Sequence, residues 1–165
     1  MTGVQTCALP IYIINSSQTS KIYIGCDSER FKIRNVWHAD YCLAVVIHKE
    51  GKHGCKVFGG VTREADYDSK PGRPALRLMN EVYKVSELYE KLKDIIGNRY
   101  CEVHLDINPE DRYGSSCVVN QAIGYIRGTC NMTPRVKPDA FAASVAADRI
   151  KEDRKSTRLN SSHLG

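Results

Sequence analysis

Lys21-Ile22-Tyr23-Ile24-Gly25-Cys26-Asp27 is the stretch from which the fold can be read. Its aliphatic and aromatic residues favour a pleated, half-buried surface and predict a strand. Alternation puts Ile22, Ile24 and Cys26 on one face and Tyr23, Gly25 and Asp27 on the other. A later run, Tyr100 to Ile107, has the same plan. There Val103 and Leu105 share one face, Glu102, His104 and Asp106 take the opposite, and Asn108-Pro109 stops the run. If the two strands lie parallel and adjacent, about 4.8 Å apart, Asp27 and Asp106 meet at their C-terminal ends. Open α/β sheets bind ligands at that edge, and two anions so close need a cation or a shared proton. Each aspartate alone also suits the plain role of ending a strand and opening a turn.

Outward from these strands the chain reads as βββαβαβα. Tyr41 to His48 and Cys55 to Val61 are predicted strands around the polar turn Lys49 to Gly54, an antiparallel hairpin. A long helix is expected from about Ala75 to Ile96, ended by Gly97-Asn98. Ser115 or Ser116 is the expected cap of a further helix ending at Gly128. Met132 to Val136 reads as a weak strand, and Pro138 as the first-turn residue of the last helix. Three strands followed by alternating αβ units argue for an α/β fold with a mixed sheet, antiparallel on one side and parallel on the other, with helices on its faces.

The 165 residues suit one domain, placed at residues 12–152. The ends, residues 1–11 and 153–165, resemble translated sequencing-library adapter and are expected to be unstructured. Without Asp153, Arg154, Lys155 and Arg158 the formal charge falls from +5 to +3, which permits a phosphate-binding face without requiring one. Seven cysteines show no C-x-x-C spacing and read as small buried thiols of a reducing compartment. Cys42, His48, His53 and Cys55 match no common zinc-finger spacing. The longest aliphatic run, Leu43 to Ile47, is too short to cross a bilayer, so a cytoplasmic protein is expected.

Two further acids stand out. On the long helix, Leu78, Val85, Leu88, Leu92 and Ile95 form one stripe, and Glu81 falls in its middle. A carboxylate facing a core is costly unless it is paired or bound to metal; the plainer readings are a side chain reaching solvent or meeting an arginine. On the last helix Asp139 shares its side with Ala143, Ala146 and Ile150, small residues that allow a close approach to the sheet. Its plainer role is a first-turn acid favoured by the helix dipole.

Ile24-Gly25-Cys26-Asp27-Ser28, Val103-His104-Leu105-Asp106-Ile107 and the segment Val136 to Ser144 resemble signature segments of the YkuK-type branch of the ribonuclease H-like superfamily. The resemblance spans residues 21–151. It implies a five-stranded mixed sheet in the order 3-2-1-4-5 and a catalytic, metal-binding set of Asp27, Glu81, Asp106 and Asp139. It further implies hydrolysis of phosphodiester bonds in RNA, RNA–DNA hybrid or structured DNA with two Mg²⁺ or Mn²⁺ ions, Asp27 bridging both.

Arg30, Lys32, Arg34 and Trp37, with Phe31 and His38, combine cations for phosphates with aromatics for base stacking, the usual tools of single-strand or hybrid recognition. Arg63, Lys70, Arg73 and Arg77 form a looser basic group. His104 is a candidate substrate contact or support for a metal ligand, and Lys137 a candidate phosphate contact. Each also has an ordinary reading, as a satisfied sheet histidine or an exposed loop lysine. The competing functions are a catalytically silent nucleic-acid-binding module and a structural domain whose acids serve only caps and turns.

Overall fold

A computed structural model of the protein describes residues 8–49, 54–68 and 72–162. The elements are α1 (Ala8–Asn15), β1 (Lys21–Ile33), β2 (Val36–His48), β3 (Cys55–Ala65), α2 (Ala75–Ile96), β4 (Tyr100–Leu105), a 3-10 helix (Gly114–Val118), α3 (Val119–Cys130) and α4 (Phe141–Ser162). The sheet runs β3-β2-β1-β4. Its first two junctions are antiparallel and the β1–β4 junction is parallel, the mixed arrangement expected from the sequence.

β1 continues well past Asp27, and its link to β2 is two residues long. Arg34 and Asn35 both have positive φ, 49° and 64°, the requirement of a tight turn whose twist matches that of the flanking strands. The basic and aromatic segment Arg30 to His38 is therefore the far end of one long hairpin.

The sheet has four strands, not five. Met132 to Val136 does run beside β4, at the place a fifth strand would take, but it forms a single parallel bridge between His104 and Arg135. The Leu105 N–H donates to the Arg135 carbonyl at 2.9 Å, and the Arg135 N–H donates to the Val103 carbonyl at 2.8 Å. Pro134 beside it has no N–H to extend the ladder.

The ends also differ from expectation. Ala8–Asn15 is a helix whose Leu9 and Ile13 are wholly buried in the main core. α4 begins at Phe141, three residues after Pro138, and runs to Ser162, with Arg154 pairing with Glu29 at 2.9 Å. The serine caps do not form: Ser115 Oγ accepts the Asn108 N–H, and neither the 3-10 helix nor α3 has a side-chain cap.

Two cores sandwich the sheet. Ile22, Ile24, Cys26, Val103 and Leu105 pack with Val82, Val85 and Leu88 of α2. On the opposite face Cys42 and Ala44 pack with Ala146 and Ile150 of α4. Cys26, Cys42 and Cys130 are buried as expected, whereas Cys55 and Cys117 are exposed. No helix among the described residues is long and apolar enough to cross a membrane.

Candidate active site

β1 and β4 are paired in parallel up to Cys26 opposite Leu105, so the next residues, Asp27 and Asp106, stand side by side where β4 ends. Burial, then the hydrogen bond with Asp106 and the charge of that neighbour, push the Asp27 pKa up to about 8, against the opposing pull of the Ser28 N–H and Lys137. This is the crowding of like charge expected from the register of the two strands.

Glu81 is buried, as its place in the apolar stripe requires. Burial first, and then the charge of Asp27, push its pKa well above the ordinary carboxylate range. Its partner is the Ser28 hydroxyl, which donates to Glu81 Oε1. Arg77, one helical turn before Glu81, donates from Nη1 to the Ser28 carbonyl at 2.9 Å and to the Ser28 hydroxyl at 2.7 Å. Ser28 and Arg77 are thus the residues that reasoning from the sequence did not assign to the site. Their signal was the i, i+4 spacing of Arg77 and Glu81.

The fourth acid lies apart. Asp139 is exposed, in the turn before α4, with its backbone N–H donating to the Val136 carbonyl at 2.9 Å. Among the described residues no three His, Cys, Asp or Glu side chains gather as a group that could hold a metal ion. The donor chemistry of the Asp27–Asp106 pair suits a hard divalent cation, since Mg²⁺ is commonly held by one or two carboxylates with waters and substrate phosphate completing its shell. The four-carboxylate set does not converge in this conformation.

The position beside Asp106 is taken by Lys137, whose Nζ lies 2.7 Å from Asp106 Oδ1. Burial works against its charge, but the hydrogen bond to Asp106 and the charges of Asp106, Asp27 and Glu81 keep its pKa above the ordinary lysine value.

His104 is wholly buried beneath the site. Its Nδ1 accepts the N–H of Ala142 in the first turn of α4 at 3.1 Å, which leaves Nε2 to donate to Glu102 at 2.8 Å. Burial lowers its pKa despite Glu102, so the ring is a neutral anchor for α4 rather than a contact for substrate. Gly25 lets that helix approach: a Cβ there would meet the backbone of Ala142 and Ala143 at 2.5–2.8 Å.

The basic hairpin is largely engaged within the fold. Arg30 pairs with Asp66 at 2.6 Å and donates to the Asp68 carbonyl at 2.8 Å. Trp37 is packed by the Arg30 and Lys32 cations, 3.9 and 4.7 Å from its ring centre. Arg34 stands exposed in the turn. In the second basic group Arg63 pairs with Asp40 at 2.8 Å and Arg73 is exposed; Lys70, and His53 of the cysteine–histidine quartet, lie outside the described residues.

A mixed sheet with acids at the ends of its paired parallel strands, backed by a buried glutamate on the crossing helix, defines an α/β protein with a candidate acidic site at the strand-end edge. The family model described as Ribonuclease H-like matches residues 8–152, and the chain belongs to that family. No curated protein and no solved structure gives a match to the chain.

Proposed function

We propose that the protein is a metal-dependent nuclease that hydrolyses phosphodiester bonds of RNA, RNA–DNA hybrid or structured DNA. The observation that carries this reading is the register of β1 and β4, which sets Asp27 and Asp106 side by side at the strand-end edge. Family membership supports a nucleic-acid-related role. Within the family we assign the chain to the YkuK-type branch on its three signature-like segments.

Asp27 and Asp106 would hold the divalent ion. The chemistry supplied by Mg²⁺ or Mn²⁺ when bound is acidification of a water and stabilisation of the leaving oxygen. Ser28 and Arg77 hold Glu81 behind the pair, and His104 ties α4 against the sheet beneath it. The two-ion arrangement implied by the resemblance would need Glu81 and Asp139 to join the pair.

The test offers labelled hybrid, duplex and single-stranded substrates with and without Mn²⁺. Cleavage that requires the ion and disappears in Asp27→Asn and Asp106→Asn proteins is expected. Equal activity in both variants would identify a contaminant. Salt-sensitive binding without products would instead favour a silent binding module, a reading supported by the missing third ligand among the described residues.

A further inference from the structure

Lys137 is delivered to the carboxylate pair by the backbone. The segment that carries it is held along β4 by the two hydrogen bonds of Arg135, and by the Lys137 N–H donating to the Ile107 carbonyl at 3.0 Å. Alternation then repeats one pairing twice on the same face: Arg135 meets Glu102 at 3.4 Å, and two residues on Lys137 meets Asp106 at 2.7 Å. Arg77, the cation beside Glu81, is engaged with the Ser28 carbonyl and hydroxyl. Among the described residues Lys137 is therefore the cation that the fold places on Asp106.

We propose that Lys137 is the resident second cation of the site, so that the carboxylate pair takes one divalent ion and the lysine ammonium stands where a second would bind. The inference rests on the metal-dependent reading above. The arrangement has a chemical logic. An ammonium is a compact point charge with three donors, suited to a phosphate or a leaving oxygen. It lacks the Lewis acidity that makes a nucleophile of water, which a divalent ion held by Asp27 and Asp106 would supply. With Glu81 committed to Ser28 and Asp139 turned to solvent, Asp27 and Asp106 are the carboxylates of the site, and on Asp106 the lysine occupies the place open to a second ion.

The test is binding stoichiometry, read by calorimetry and by the electron paramagnetic resonance signal of free Mn²⁺. The whole protein is expected to bind one Mn²⁺, and Lys137→Met two, with spin coupling between them. Two ions in the unaltered protein, or one in both proteins, would overturn the inference while leaving the nuclease reading intact. No binding in either would remove the metal-dependent reading itself, and this inference with it. A second measurement needs no Lys137 variant: acylation of Lys137, followed by mass spectrometry. Labelling several-fold slower than at other exposed lysines is expected, unchanged by saturating Mg²⁺ and released in Asp106→Asn. Faster labelling on adding Mg²⁺ would show the metal displacing the lysine and would overturn the proposal.

Discussion

Gly25 and Asp27 lie on the same face of β1, two residues apart, and each answers to a different neighbour. Gly25 has no side chain because the backbone of α4 lies where one would go. Gly25→Ala must therefore push helix or strand aside, and is expected to cost about 1–3 kcal/mol or more, seen as a lower urea midpoint. Asp27 carries the opposite burden, a raised pKa caused by burial and by Asp106. A carboxyl that titrates at about 4 unfolded and about 8 folded holds its proton more tightly in the native state. Its contribution to stability therefore falls as pH rises from about 4 to about 8. Without metal, Asp27→Asn should match the unaltered protein near pH 4 and exceed it increasingly as the pH rises to about 8, with a slope of up to about 1.4 kcal/mol per pH unit. Melting in chelator at the two pH values checks this.

At the scale of elements, α2 owes its start to a residue distant in sequence. Pro74 offers no side-chain cap. The carboxylate of Asp68 instead accepts the N–H groups of Leu76 and Arg77, at 2.9 and 2.8 Å. Asp68→Ala is expected to cost about 1–2 kcal/mol and to loosen Arg77, and through Ser28 the setting of Glu81. The readouts are the urea midpoint and faster amide exchange at the first turn of α2. The span of α2 was legible because Gly97 and the 3.6-residue stripe are local signals. The cap was not, since nothing local ties Asp68 to a helix that begins several residues later. The last helix shows the same contrast. Pro138 marks a start by local preference, yet α4 begins at Phe141, where His104 of β4 receives the Ala142 N–H.

Across the whole molecule, α1 is part of the main core. Leu9 and Ile13 are buried in the same core as β1 and α2, and the family match starts at residue 8. Leu9→Ala is expected to cost about 2–5 kcal/mol through the cavity it leaves, whereas a helix lying outside the domain would melt without effect on the thermal transition. By itself the sequence determined the strands around Asp27 and Asp106, the alternation that faces these acids the same way, the extent of α2, and the burial of Glu81. Each follows from periodicity within one segment. Only the tertiary structure decided that Met132 to Val136 contributes a bridge rather than a strand, that Asp139 stays outside the cluster, and that Lys137 takes the place on Asp106. Those outcomes depend on which backbone groups and charges meet across segments far apart in the chain, and such meetings leave no periodic trace in either segment alone.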